Sequence, residues 1–398
     1  MRRLIAITAA ALALLPAAAA GAPPDDLSED PIDRGTLLAL PSLYRVEMTL
    51  RVDALRARDG RRIPLPRQGR EIREVGTAFA VASGGWLVTA RHVAAPNDES
   101  VALLAAQTKL AVEGRAHADG DAADFVEATG ATPVGARVTR LVVRQADAGE
   151  GSAESRTYVP SRIVPSERAD LALLRISARA APALTLNEAA SIGTPVASLG
   201  FGTGSAFAEP VRGDLEPAVR RGALARTGTL DGDEPEERNA ILTTIALEPG
   251  DSGGPVIDAQ GNARGVAVIR SDEGGIAERA TEVRQLLQST GITPAPGPSA
   301  RLFREGMAAY WGLDLAAAQR SLAAAERAFP DHTLAGIEAR RARDLARADF
   351  ALVGDRRRQG FLLALGALAV FAALACGVGL ARQGGRGRGS VGAPTQRG

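Results

Sequence analysis

The sequence predicts a mainly β chain: a double six-stranded-type β-barrel unit, then a small α-helical segment, then one transmembrane helix. Three observations carry this. Short apolar–polar alternations bounded by Gly, Pro or Asp recur between residues 46 and 270, as half-buried barrel strands do. After a Pro- and Gly-rich stretch at 291–299, the composition turns to Ala, Leu and Arg at helical spacing. Residues 360–381 are almost wholly apolar, and at ~1.5 Å per residue they reach about 33 Å, enough for a hydrocarbon core of about 30 Å.

From the start of the chain, Met1-Arg2-Arg3 is basic, Leu4 to Leu15 is apolar, and Ala18-Ala19-Ala20 is small. That order predicts a signal peptide over 1–20, with cleavage after Ala20 or Ala22. Residues 21–34 hold Pro, Asp and Glu and read as a flexible lead. The β unit spans 35–290. Its strands are expected at 46–52, 77–82, 86–90, 137–144, 171–176, 194–199, 241–246, 255–258 and 264–270. Residues 113–135 and 145–157 read as surface loops. His117 lies in the first of these among Asp119, Asp121 and Asp124, and a solvated loop is preferred there to a metal site.

Residues 291–299 read as a linker and 300–350 as helical. Leu302, Gly306, Tyr310, Leu315, Ala318, Leu322, Ala325 and Pro330 resemble one tetratricopeptide unit, a helix–turn–helix pair. Such units share a core by stacking, and one clear copy is present. A helical stalk or lid is therefore preferred, with a protein partner at this segment as the alternative. Residues 382–398 form a basic tail.

Composition narrows the function. The chain has 398 residues, 45% hydrophobic and 23% charged, with a net charge of +1. Those proportions are ordinary for globular protein, and the balanced charge gives no ground for nucleic acid as a partner. Lys109 is the sole lysine among many arginines, and Cys376 is the sole cysteine. No intrachain disulfide can form, so the core must hold the fold.

The chemistry-bearing motif is Gly-Asp-Ser-Gly-Gly-Pro at 250–255. It places Ser252 on a glycine-rich turn where a hydroxyl can be exposed. A serine hydroxyl needs a neighbouring base to become a nucleophile. His92, within Thr89-Ala90-Arg91-His92-Val93, can act as that base. Asp170, before Leu171-Ala172-Leu173-Leu174, can orient the imidazole and stabilise its charged form. The backbone N–H groups of Gly250 and Ser252 can bind the developing oxyanion; such a donor is worth roughly 3–4 kcal/mol.

At these residues the chain resembles the trypsin-like (chymotrypsin-fold) serine peptidases over roughly residues 40–290. The three motifs occur in that family's order. The surroundings look most like the bacterial HtrA/Deg-type branch: Val75-Gly76-Thr77-Ala78-Phe79, Gly85-Trp86-Leu87-Val88-Thr89, Val196 to Gly202, and Ser252 through Gly265-Val266-Ala267-Val268. The chain lacks an Ile-Val-Gly-Gly activation terminus, so pairing of a new N-terminus with Asp251 is not expected. It also lacks a PDZ-like segment. The resemblance implies that Ile245-Ala246-Leu247 and the edge Val268-Ile269-Arg270 border the substrate pocket. That gives Ala246, Val268, Ile269 and Arg270 as binding residues for a small or medium apolar side chain.

Together these readings predict a serine endopeptidase that cleaves protein or peptide substrates through an acyl-enzyme, with no cofactor and no metal. It would be anchored in a bacterial cell membrane by its single C-terminal helix. The protease domain would face the periplasm, because the N-terminal signal acts first. The arginines conflict over this orientation. Arg382, Arg386, Arg388 and Arg397 suit a cytoplasmic tail, whereas Arg340, Arg341, Arg343, Arg347 and Arg356–Arg358 would hold the other side in the cytoplasm. The alternative function is a membrane-tethered binding module that keeps the fold with little turnover.

Overall fold

In a computed structural model, the described residues are 30–115, 120–146, 156–189, 191–202, 216–230, 238–271 and 274–347. The signal peptide, His117, the 360–381 helix and the basic tail with Cys376 lie outside them. Among the described residues, no helix is long and apolar enough to cross a membrane.

The first half is an antiparallel sheet. Its strands are β1 (Leu43–Arg51), β4 (Glu71–Ala82), β5 (Trp86–Ala90), β7 (Arg137–Gln145), β8 (Thr157–Tyr158), β9 (Arg162–Pro165) and β10 (Leu171–Arg175). They run in the order β8-β7-β1-β4-β5-β10-β9. A six-stranded closed barrel was the expectation here; seven strands form, and β8 and β9 end the sheet unpaired to each other. Pro160 lies between these two strands and Pro165 ends β9, and proline cannot donate to a ladder. A small side sheet of β2 (Ala54–Arg56), β3 (Arg62–Pro64) and β6 (Thr132–Val134) lies apart, in the order β3-β2-β6.

The second half closes fully. Its strands are β11 (Pro195–Gly200), β12 (Ala218–Leu230), β13 (Arg238–Thr243), β14 (Pro255–Ile257), β15 (Ala263–Ser271) and β16 (Gly274–Arg279), in the closed order β11-β12-β13-β16-β15-β14. A barrel this small needs a compact interior. Val196, Leu224, Ile241, Ile245, Leu247, Val256, Ala267 and Ala277 supply it. A larger apolar core joins the two halves, running from Leu43, Phe79 and Leu173 to Leu199, Ile257 and Val266.

Helices cover this framework. Helix α1 (Pro31–Ala39) begins inside the stretch expected to be a flexible lead. Pro31 is pre-set for a first helical position, and the Asp30 carboxylate accepts from Ile32 N at 2.8 Å as a cap. Helix α2 (Arg91–Ala94) follows β5, and α3 (Asp98–Val112) is capped by Asn97. Helix α4 (Asp121–Thr129) and β6 occupy the span expected to be a surface loop at 113–135. No α4 residue is fully buried, but Ala122, Phe125 and Val126, on one helical face, pack against the core.

After α5 (Ala280–Ser289), the segment expected to be a linker is tied down. Ala295 O accepts from Ser83 N at 3.0 Å, and Pro296 O accepts from Ala183 N at 3.2 Å. Helix α6 (Gly297–Trp311) then packs on α7 (Leu315–Ala328), and α7 on α8 (Thr333–Arg347). Gly306 lets α6 and α7 approach closely, since a Cβ there would sit 2.6 Å from Leu322 Cγ. Phe303, Met307, Tyr310, Leu322 and Ala339 form the helical core, and Leu37, Leu38 and Leu40 pack against it. Arg304 donates to Gln260 O and Gly261 O on the second half. On the first half, Asp331 takes Tyr158 Oη at 3.2 Å and Arg156 at 2.9 Å.

His332 caps α8: its Nδ1 accepts from Ala335 N at 3.1 Å, and its ring packs 4.6 Å from that of Phe303. Burial holds its pKa far below the ordinary 6.5, at about 3. The folded chain therefore binds this proton less readily than the unfolded chain, so stability falls as pH drops from about 6.5 toward 3. Protonation would also remove the cap acceptor. His332→Asn keeps a capping oxygen and does not titrate. The wild type is expected to lose more thermal stability than this variant between pH 7 and pH 4.5, as read by circular dichroism melting.

Candidate active site

Strand pairing brings the first two residues together. β5 and β10 are antiparallel with Ala90 opposite Leu171, so the residues just beyond, Arg91-His92 and Asp170, meet at one end of the ladder. Arg91 N donates to Asp170 O at 3.1 Å. His92 N donates to Asp170 Oδ1 at 3.1 Å, and His92 Nδ1 lies 2.6 Å from Asp170 Oδ2. Both carboxylate oxygens thus grip the same residue. This fixes the ring and leaves Nε2 as its other nitrogen.

Burial by itself would lower the pKa of His92. The Asp170 hydrogen bond, the Asp170 charge and then the Glu74 charge outweigh it, and the net direction is upward. Glu74, on β4, is pushed by burial up to about 7, against the pull of His92.

Ser252 lies on the turn between β13 and β14. Gly250 and Gly253 adopt φ of 102° and 89°, a region that favours glycine. At Gly253 a side chain is excluded outright, because a Cβ would sit 2.0 Å from Thr77 O. Thr77 holds the turn from the other half. Its N donates to Ser252 O at 2.8 Å, and its Oγ1 donates to Gly250 O at 2.8 Å. Among the described residues, the N–H groups of Gly250 and Ser252 make no internal hydrogen bond. Unspent donors of this kind, two residues apart on one tight turn, can receive an oxyanion.

Between them, Asp251 is 1% exposed. Its Oδ1 accepts from Gly202 N at 3.0 Å; its Oδ2 accepts from Glu248 N at 2.9 Å and Arg220 Nε at 2.6 Å. No new chain terminus is needed to neutralise this carboxylate, because Arg220 of β12 does so. Ser252 Oγ donates to Val268 O at 3.4 Å, and among the described residues it makes no hydrogen bond to His92. The histidine–aspartate link of the expected triad is made in this structure; the serine–histidine link is not.

The residues expected to border the pocket lie in different surroundings. Ala246 faces solvent, while its neighbours Ile245 and Leu247 are buried in the second barrel. The Val268 side chain is in the core at 3% exposure, so Val268 meets the site through its carbonyl oxygen. The side chains of Ile269 and Arg270 lie outside the description. The Ala267/Ile269 register shift leaves Val268 out of the β16 ladder, which frees its backbone. Thr77, Glu74, Arg220 and Glu278 were not singled out from the sequence. Thr77 sits within a quoted motif, whereas Arg220 and Glu278 act across long chain separations.

A closed antiparallel barrel packed on a second sheet, with His92, Asp170 and a glycine-framed Ser252 at their junction, is the architecture of the trypsin-like serine peptidases. The family model described as trypsin-like peptidase domain matches residues 76–266, and the chain carries that domain. Two curated relatives, serine protease MT3772 and serine protease Rv3671c of two Mycobacterium tuberculosis strains, are each 34% identical over 136 residues. The match covers 33% of this chain and spans a third of each relative (33%). Among solved structures, the active form of the M. tuberculosis Rv3671c protease aligns at 18% identity and TM-score 0.41, over 66% of this chain and 86% of that one. An HtrA-type protease, AlgW, with a tripeptide aligns at 19% identity and TM-score 0.40, over 64% and 62%.

Two outcomes test this geometry without turnover. Arg220→Met leaves a buried carboxylate unpaired and is expected to destabilise the fold by about 3 kcal/mol; Arg220→Lys is expected to cost less, both read by denaturant unfolding. Separately, removing negative charge near His92 disfavours the imidazolium. Its pKa, followed by imidazole NMR titration, is expected to fall in Glu74→Gln and to fall further in Asp170→Asn.

Proposed function

We propose that the protein is a serine endopeptidase that hydrolyses peptide bonds through an acyl-enzyme. Ser252 attacks the scissile carbonyl, His92 takes its proton and later returns it to the leaving amine, and Asp170 orients the imidazole. The N–H groups of Gly250 and Ser252 receive the oxyanion. The observation that carries this reading is the 2.6 Å His92–Asp170 contact on the same seam as a serine turn with two unspent donors.

Attack requires Ser252 Oγ to leave Val268 O and turn toward His92. Substrate entry supplies a reason for it, since an extended peptide can pair with β15. Beyond Ala267, which exchanges backbone hydrogen bonds with Gly253 and Gly254, β15 has no partner on that side among the described residues, while its other side, Val268 apart, stays paired with β16. A peptide laid along that free side adds a strand and competes for backbone groups around Val268. The raised pKa of His92 places the acidic limb of the rate profile above the ordinary histidine value, because the base must be neutral.

Export and anchoring complete the proposal. The 1–20 signal and the apolar 360–381 stretch are read as holding the protease domain on the periplasmic side of a bacterial membrane. Cleavage of envelope proteins follows by resemblance to the HtrA/Deg-type branch.

The Ser252–Val268 bond favours a second reading, a tethered module that binds peptide without turning it over. A fluorophosphonate probe separates the two. Rapid labelling of the wild type, absent in Ser252→Ala, is expected. A folded wild type that stays unlabelled would favour the binding module.

A further inference from the structure

We propose that Glu278 is a positioning residue that fixes Asp170, and through it His92, from the opposite half of the molecule; this rests on the hydrolase reading above. Glu278 is the penultimate residue of β16 and is 3% exposed. Its backbone stands in register with Ala240 on one side and Val266 on the other. Both are strands of the closed barrel, so its Cα is held by a rigid ladder. From there the side chain crosses the seam, and Oε1 accepts the backbone N–H of Asp170 at 3.1 Å.

Asp170 lies just before β10, where the ladder to β5 begins. Its carbonyl and both carboxylate oxygens are taken by Arg91 and His92, which belong to its own half. Those bonds set the acid relative to the base but not relative to Ser252, which belongs to the other half. The Glu278 bond supplies that second reference. Thr77 does the reciprocal job on the serine turn. The two links run in opposite directions across one seam and limit sliding of one half against the other. A carboxylate on an interior strand is costly to bury unless it is used. An Asp170 N–H is a donor that must find a partner in a crowded, partly buried turn.

The role makes a specific demand: an acceptor oxygen at the end of a four-atom side chain. Glu278→Gln retains one, Glu278→Asp draws it back, and Glu278→Leu removes it. For wild type and the three variants, kcat and KM on a peptide substrate would be measured together with the far-downfield proton resonance of the His92–Asp170 hydrogen bond. That resonance is assigned by its absence in Asp170→Asn. Glu278→Leu and Glu278→Asp are expected to lose about tenfold or more in kcat with KM within about twofold, and to shift or lose the resonance. Glu278→Gln is expected to keep both near wild type.

Glu278→Leu and Glu278→Asp turning over within twofold of wild type would overturn the proposal. So would an equal loss in Glu278→Gln, or an unmoved resonance in the folded variants. Should Glu278→Leu fail to fold, Glu278→Asp and Glu278→Gln decide by the same criteria. A wild type without turnover sinks the hydrolase reading, and the resonance still reports whether Glu278 holds Asp170.

Discussion

Thr77 is where the two halves become one machine. It is fully buried, and every polar group it offers is spent at the seam. Its N–H holds Ser252 O, its hydroxyl donates to Gly250 O and accepts from Phe201 N, and its carbonyl accepts from Thr89 Oγ1. A hydrogen bond contributes only about 1 kcal/mol net, but a buried donor or acceptor stripped of its partner costs more. The network therefore matters less for the energy it adds than for the alternatives it forbids. Residue 253 must be glycine, the serine turn must lie against β4, and the first-half residues His92 and Asp170 must end close by.

Electrostatics follows the same seam. Asp251 is met in the interior by Arg220 and two backbone N–H groups. Among the described residues no arginine or lysine pairs with Glu74, and burial pushes its pKa up to about 7. A carboxylate drawn out of water either finds partners or moves toward protonation. The negative charge that Glu74 places near His92 is thus adjustable. A base whose environment titrates close to neutrality and a serine turn braced by an ion pair are suited to separate duties.

Much of this was legible in the chain. Alternation in β1, β4 and β5 and the spacing of His92, Asp170 and Ser252 pointed to the right architecture, because pattern and motif are local signals. Most strands that the sequence does not foretell are short; β12, 13 residues long, is the exception, and Arg220, Arg221 and Arg226 break its apolar alternation. β8 and β9 are two and four residues long, and β16 begins with two glycines. Arg220 and Glu278 left no mark at all. One charged residue in a strand reads as solvent-facing until the topology turns it inward toward Asp251 or Asp170. Ala246 is exposed because the in–out alternation runs on past Thr243, with Ile245 and Leu247 turned into the barrel.

The fastening of the helical segment has a mechanical consequence. Arg304 grips the 260–261 turn of one half, while Asp331 grips Tyr158 and Arg156 at the rim of the other. A tug on the polypeptide past Arg347 would reach these anchor points before it could straighten 291–296, whose residues are stitched to Ser83 and Ala183. Load would thus spread across both sheets at once, and the helices would behave as a brace rather than a tether.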